Sequence, residues 1–251
     1  MTVSTGVAPT ASFGPRMAQV ERIAQVAMAC SETYPDRPAN YILMHGRRVA
    51  RIALDLASKA ELLGELGATI DREVLYAGAL FHDVGKAKVD DSVAGGDDSA
   101  AGGDEGVAAR DLNGNHGAEA HEVVGAERAV RLLTHLFAPD ELHQIHDIVL
   151  HHNHREPPND DTMATKIVQD ADSLDHVGVV GTWLTVYHIA REGGTLEDLL
   201  HYAHSETRTQ DREGMRRRLN FEAARRSFDE RIAREEAHYR ALARGGGLDD
   251  R

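Results

Sequence analysis

The chain has 251 residues, of which 41% are hydrophobic, and its 28 basic and 41 acidic side chains give a formal net charge of -13. This composition can fill a globular core, and the strong negative charge argues against broad affinity for nucleic acid or for an anionic membrane. The single cysteine, Cys30, excludes an internal disulfide and is consistent with a reducing compartment.

The N-terminal segment MTVSTGVAPTASFGP is small, polar and broken by proline and glycine. It predicts a disordered leader over residues 1 to about 15, with a helix following to about Cys30. The apolar stretch IAQVAMAC in that helix is short and follows Glu21 and Arg22, so it is neither a signal sequence nor a membrane span. A cytoplasmic location is therefore expected.

Two helices and an insertion are predicted next. From Tyr41 an amphipathic pattern through Val49 has helical spacing. The segment GATIDREVLYAGALFHD predicts a third helix, with Asp71 as its N-cap and Gly85 as its C-terminal stop. Residues from about 88 to 115 are acidic and glycine-rich without apolar periodicity, which predicts a flexible, disordered insertion.

Helical periodicity resumes after the insertion in HEVVGAERAVRLLTHLF, APDELHQIHDIVLHH, TMATKIVQDADSLDHVG, TWLTVYHIARE and GGTLEDLLHYAH. A long charged helix, roughly Asp211 to Arg244, is expected to close the chain. Its arginines stand four residues from acidic partners, which favours a solvated helix that packs one side over a nucleic-acid face. No segment alternates at period two, so we expect an all-α fold with residues 16–244 as a single domain.

Four side chains from three helical segments are predicted to meet. His45 shares an apolar stripe, Asp172 lies near a core-facing one, and His82 and Asp83 end the apolar run in ALFHDVGKAKV. Taken singly, each has an ordinary explanation as a core histidine or a helix cap. Taken together, imidazole and carboxylate suit borderline and hard divalent cations, which neutralise buried negative charge. Without a nearby thiolate, a site with open positions is favoured over structural zinc.

Neighbouring residues carry further expectations. Asp170 and Asp175, on either side of Asp172, are expected to lean toward solvent. His152 follows Ile148 and Val149 at helical spacing and should point inward. Lys86 either contacts a substrate phosphate or complements the C-terminal end of a helix dipole.

His45, then HD at positions 82 and 83, then Asp172 in IVQDADSLD resemble the H…HD…D signature of the HD superfamily of metal-dependent phosphohydrolases. The likeness runs from about Tyr41 to Leu242, and KIVQDADSLDHVGVVG and LNFEAARRSFDERIA are similar to a small bacterial branch that includes nucleotide pyrophosphohydrolases. The resemblance implies an HD-domain helical bundle in which His45, His82, Asp83 and Asp172 hold Mn²⁺, Mg²⁺ or Fe, with Asp83 also catalytic. Metal-activated water would attack phosphorus in a small phosphorylated metabolite, expected to be a nucleotide.

Lys86 bears on the substrate class. Nucleoside monophosphatase relatives and hydrolases of the stringent-response alarmone have a glutamate at this position. The lysine therefore counts against a nucleoside monophosphate and against the alarmone as substrates. HDVGK is similar to cyclic-dinucleotide phosphodiesterases, but their GYP motif is absent after His151 and His152. In two-metal members, positions similar to His121 and His152 carry extra ligands, so these two are candidates for a second metal or for substrate, with His116 and His151 as competitors.

Two other classes of function stay open at this stage. A di-iron HD-type oxygenase would use both extra histidines as ligands. A non-catalytic module would bind metal or nucleotide without turnover. Neither a membrane nor a nucleic acid is expected as a partner.

Overall fold

The computed structural model describes residues 14–29, 40–87, 121–154 and 160–245, and within these ranges the chain is helical without a strand. In chain order the helices are α1 (Pro15–Met28), α2 (Tyr41–Leu62), α3 (Arg72–Phe81), α4 (His121–Leu133), α5 (Pro139–His151), α6 (Met163–Asp175), α7 (Val179–Arg191), α8 (Leu196–Ala203), α9 (Glu206–Arg217) and α10 (Glu222–Gly245). The all-α prediction is confirmed. The predicted insertion, and the predicted leader up to residue 13, lie outside the described residues. Among the helices described, none is long and apolar enough to cross a membrane.

Helices α2, α3 and α6 form the centre of the bundle. Helix α2 packs against both α3 and α6, while α5 covers α3 and α4 packs against α5. Buried Val49, Ala53 and Leu56 lie on one face of α2 at three- and four-residue spacing, as its amphipathic pattern predicts. The last helix, α10, lies against α2, α6 and α7. The polar side chains at one end of α2, α3 and α6 are therefore enclosed by the bundle.

Gly46 allows α2 and α3 to approach closely. A Cβ atom at this position would lie 2.3 Å from the carbonyl oxygen of Leu80, a distance that no side chain tolerates. The glycine therefore sets the spacing of the two helices just where His45 and His82 face each other.

Helix α3 begins as predicted but ends earlier. The Asp71 carboxylate accepts hydrogen bonds from two backbone amides of the first turn, so the N-cap prediction is confirmed. The helix ends at Phe81 and is followed by a 3-10 turn, Val84–Lys86, so Gly85 as the stop is wrong. Gly85 instead lets this turn pack against α4, because a Cβ there would lie 2.1 Å from the His121 carbonyl oxygen.

The prediction of one long C-terminal helix over residues 211–244 is also wrong in part, because a short non-helical segment separates α9 from α10. Asp170 is only 1% exposed, and its carboxylate accepts hydrogen bonds from the backbone amides of Asn220 at 2.9 Å and Phe221 at 3.0 Å. These bonds fix the two residues that precede α10, while the amides of its first residues, Glu222 and Ala223, donate to Glu65 at 2.7 and 3.0 Å. The expectation that Asp170 leans toward solvent is thus corrected.

A buried ionic cluster joins the last helices to the turn that follows α6. Glu235 is fully buried and accepts hydrogen bonds from Arg208 and Arg212, each at 3.0 Å, and from the backbone amide of Gly178 at 2.8 Å. Arg212 also donates to the carbonyl oxygen of His176 at 3.2 Å. Helices α9 and α10 therefore hold the turn at one edge of the polar cluster described next.

Candidate metal centre

The four predicted side chains converge where α2, α3 and α6 meet. Nε2 of His45 lies 3.2 Å from Nε2 of His82 and 3.2 Å from Oδ1 of Asp172. Oδ2 of Asp83 lies 3.8 Å from the same His45 atom and 3.7 Å from Nε2 of His82. All four residues are buried, and ligand atoms of His45, His82 and Asp172 lie within 4.8 Å of one another.

Nδ1 of both His45 and His82 already has a hydrogen-bond partner. Nδ1 of His82 donates to the carbonyl oxygen of Ala79 at 2.8 Å. Nδ1 of His45 lies 2.8 Å from Asp175, whose carboxylate also accepts from Arg48 at 2.8 Å. Asp175 is only 1% exposed, so the prediction that it leans toward solvent is wrong. Carboxylates and carbonyls that hold a metal-binding histidine in this way fix its ring orientation and leave Nε2 for the metal.

The surroundings of His45 favour a positive charge on its imidazole. Burial acts to lower the pKa of this imidazole, but hydrogen bonds to Asp172 and Asp175 outweigh burial and raise the pKa to about 9. A proton on the ring thus offsets one of the two negative charges of these carboxylates. A divalent cation can supply the same compensation and allows the ring to be a neutral ligand.

The environment around His82 and Asp83 favours a neutral imidazole beside an ionised carboxylate. Burial lowers the pKa of His82 to about 4. Burial acts to raise the pKa of Asp83, but His82 and the Lys86 ammonium outweigh it and hold that pKa well below its usual range. These are the protonation states in which imidazole and carboxylate bind a metal.

A second set of groups faces the other oxygen of Asp83. Nε2 of His152 lies 3.4 Å from Oδ1, Nε2 of His121 lies 3.8 Å from it, and the Lys86 ammonium lies 2.7 Å from it. His152 is 1% exposed, so the prediction that it points inward is confirmed, and its Nδ1 donates to the Val149 carbonyl oxygen at 2.6 Å. Its Nε2 makes no hydrogen bond within the described residues. Such a buried, unsatisfied nitrogen suits a cation.

Of the two competing histidines, only His151 lies within the described residues, and it does not join this cluster. His116 lies outside the described residues. His151 turns toward Asp161, with 3.8 Å between its Nδ1 and a carboxylate oxygen, and His154 faces the same oxygen at 3.5 Å.

One neighbouring histidine was not anticipated from the sequence. His176 lies at the edge of the cluster, 37% exposed at its side chain, with Nε2 3.5 Å from Oδ1 of Asp172. The sequence does carry a signal, because His176 stands four residues after Asp172 and therefore one helical turn away. Arg48, which pairs with Asp175, was not anticipated either, although it stands three residues after His45 and therefore about one helical turn away on α2.

The fold and this cluster define an all-α protein whose buried histidines and aspartates suit a divalent cation. A sequence profile of the HD domain matches residues 42–176, which is just over half of the chain. The chain belongs to the HD domain family. This membership and the histidine and aspartate cluster together support a metal-dependent hydrolase.

Solved structures share the fold at low sequence identity. The structure of Bacillus subtilis YpgQ in complex with ADP is similar with a TM-score of 0.52 and 19% identity, over 92% of this chain and 100% of that chain. An HD-superfamily hydrolase from Bacillus thuringiensis has a TM-score of 0.53 and 18% identity, over 92% of this chain and 98% of that chain. A Lactobacillus plantarum protein has a TM-score of 0.53 and 16% identity, over 94% and 99%. No curated protein sequence is significantly similar to this chain.

Proposed function

We propose that the protein is a divalent-metal-dependent phosphohydrolase that acts on a small phosphorylated metabolite, with a nucleotide as the substrate. One observation carries the proposal: Nε2 of His45 and Nε2 of His82 face each other at 3.2 Å while Nδ1 of both rings is engaged elsewhere. With a hydrogen on Nδ1 of both rings, the two Nε2 lone pairs would repel each other at this distance, so the pair needs either a proton on Nε2 of His45, which its raised pKa favours, or a bound cation. The nearby carboxylates of Asp83 and Asp172 make a divalent cation the group that fits.

The proposed metal ligands are His45, His82, Asp83 and Asp172. When bound, Mn²⁺, Mg²⁺ or Fe would lower the pKa of a coordinated water and polarise a phosphoryl oxygen. The protein's own groups hold the ligands in place: Asp175 orients His45, and a backbone carbonyl orients His82.

Two cationic or N–H groups beside the ligands are proposed to orient the phosphoryl group. Lys86 places positive charge on the Oδ1 side of Asp83, with its side chain 26% exposed. His176 stands on the Asp172 side and is partly open to solvent, so its ring can donate to a phosphoryl oxygen. Placing such donors where negative charge develops is the main contribution a protein makes to phosphoryl transfer.

The substrate class has a separate support. YpgQ, a protein of the same fold, is seen in complex with ADP. A nucleoside phosphate is therefore the first class of substrate to test on this chain.

The test is release of phosphate and of pyrophosphate from nucleoside mono-, di- and triphosphates with added Mn²⁺, using wild type, Asp83→Ala and Asp172→Ala. Both variants should fold and lose at least about 10³-fold in rate, because the metal's charge stabilisation is worth several kcal/mol. Asp55→Ala is the matched control, since that carboxylate is exposed on α2 and pairs with Lys59. Full metal content in either site variant would contradict the ligand assignment.

A second candidate is the di-iron oxygenase. It is favoured by His121 and His152, which both face Oδ1 of Asp83 and would serve as ligands of a second iron. Two irons per chain, consumption of dioxygen and no release of phosphate would favour this candidate. A non-catalytic metal or nucleotide module is excluded by any metal-dependent turnover that Asp83→Ala abolishes.

A further inference from the structure

A cavity of about 290 Å³ lies between α2, the turn after α6, the start of α7 and α10, and none of the proposed metal ligands lines it. Buried Leu56 and Leu174 form part of its wall. On α2 its lining runs from Ile52 to Lys59, seven to fourteen residues after His45. At 1.5 Å per residue, this places the lining about 10 to 20 Å along the helix from His45. The cavity is therefore separate from the candidate metal centre.

Basic side chains from two helices line this cavity. Lys59 comes from α2, and Arg231 and Arg234 stand three residues apart on α10. The Lys59 ammonium donates to the hydroxyl oxygen of Ser227 at 3.5 Å, so α2 and α10 meet at this edge of the cavity. The lining also has two acidic residues, which pair with Lys59 at 2.7 Å and with Arg234 at 4.0 Å: Asp55 and Glu230. The guanidinium of Arg231 is the cation that these acids leave unpaired.

Arg231 forms no salt bridge within the described part of the chain. Its Nη1 donates to the carbonyl oxygen of Leu174 at 3.2 Å, while its Nε and Nη2 make no hydrogen bond to the described residues. The side chain is half-buried, and burial lowers its pKa because the more distant carboxylates of Asp175 and Asp55 offset that burial only in part. A buried charge normally has a charged partner. An anion in the cavity would supply one.

The first turn of α7 meets the same cavity. Its N-cap residue is Gly178, so no side chain caps this helix, and the amides of Val179 and Val180 have no acceptor among the described residues. Gly178 lies against Arg231, because a Cβ at the glycine would be 3.2 Å from Cβ of the arginine. Backbone amides at a helix start and a guanidinium beside them are donors that suit a phosphate-type oxyanion.

We propose that this cavity binds a small phosphate-type oxyanion, held by the Arg231 guanidinium and the first amides of α7, with Lys59 and the Ser227 hydroxyl at its edge. Its volume of about 290 Å³ lies just below the range of drug-sized ligand sites, roughly 300–1,000 Å³. This size favours an ion such as inorganic pyrophosphate over a whole nucleotide. No proposed metal ligand takes part, so the inference is independent of the proposed function.

The test is the binding of inorganic pyrophosphate to the full-length, chelator-treated protein, measured by isothermal titration calorimetry at low ionic strength in a buffer free of phosphate. Chelation prevents binding through a cation at the metal centre. Arg231→Gln should weaken binding at least about tenfold, because a charge-assisted hydrogen bond to the anion is lost. Arg240→Gln is the matched control and should bind as wild type does. It removes the same charge from α10 at an exposed position that does not line the cavity.

Wild type without measurable binding, or equal binding by Arg231→Gln and Arg240→Gln, overturns the inference. Weaker binding in His176→Ala together with unchanged binding in Arg231→Gln would assign the anion to the metal centre and also overturns it. Should Arg231→Gln not fold, Ser227→Glu replaces it, because a carboxylate at the cavity edge repels the anion. Binding that persists unchanged in Ser227→Glu overturns the inference. A loss of binding in these cavity variants supports it whether or not the protein hydrolyses nucleotides.

Discussion

Nδ1 of His45 lies 2.8 Å from Oδ2 of Asp175, and the two residues are 130 positions apart in the chain. Arg48 closes the other side of the same carboxylate, so the acid is held by a guanidinium and in turn holds the imidazole. The direction in which His45 presents Nε2 is therefore set by a residue that is not itself a proposed ligand. Contacts of this type are worth about 10- to 100-fold in metal affinity.

Replacing Asp175 with asparagine should weaken Mn²⁺ binding by about 10- to 100-fold, because a neutral amide no longer holds both the imidazole N–H and the guanidinium. A fluorescence or calorimetric titration with Mn²⁺ measures the change. Asp55→Asn is the control, since Asp55 is 61% exposed at its side chain and lies on α2, the helix that carries His45. An unchanged dissociation constant in Asp175→Asn would show that His45 needs no such support.

Gly46→Ala should lower both stability and metal affinity. The added methyl group would lie 2.3 Å from the Leu80 carbonyl oxygen, so α2 and α3 must move apart between His45 and His82. Overpacking of this kind costs about 1–3 kcal/mol. Urea unfolding and a Mn²⁺ titration measure the two effects. Gly67→Ala is the control, because open space surrounds that position, and a Gly46→Ala protein as stable as this control would contradict the prediction.

Asp170→Ala should destabilise the fold by about 3 kcal/mol, because the backbone amides of Asn220 and Phe221, just before α10, lose their acceptor. The number of metal ions per chain should stay the same, since Asp170 contacts none of the proposed ligands through these bonds. Urea unfolding gives the free energy, and elemental analysis gives the metal content. Asp211→Ala, at an exposed position of α9, should change stability by less than about 0.5 kcal/mol. A variant as stable as this control would refute the capping role.

Removing the metal should lower the melting temperature. A ligand at about 100 times its dissociation constant adds about 2.7 kcal/mol to stability. For a domain of this size, that corresponds to roughly 5–10 °C. Differential scanning calorimetry with Mn²⁺ and with a chelator measures the shift, and Asp172→Ala should melt at the same temperature in both. Equal melting temperatures for wild type would argue against a cation bound in the folded state.

The helical periodicity of the sequence was enough to place the inward-facing histidines. His45 and His152 each follow or precede apolar residues at helical spacing, and both are buried. This inference works because α2 and α5 each have one apolar face. A polar residue that lies on that face points into the core.

The same inference failed for α6, which is buried along its length from Ile167 to Asp175. A helix enclosed on every side has no solvent-facing stripe, so neighbouring apolar residues do not indicate where Asp170 and Asp175 point. Their partners come from α2 and from the start of α10, which local sequence does not identify. The interruption between α9 and α10 was missed for the same reason, since Asp170, which holds the backbone of Asn220 there, lies 50 residues earlier in the chain.

The long separation of His45 from Asp175 has a kinetic consequence. Closing a contact across 130 residues costs conformational entropy, and the surroundings of His45 are complete only when α6 has docked on α2. A ligand that binds after the rate-limiting step of folding slows unfolding and leaves the folding rate almost unchanged. A cation that binds the proposed ligands after this docking step is therefore expected to lengthen the lifetime of the native chain and to leave its folding rate almost unchanged.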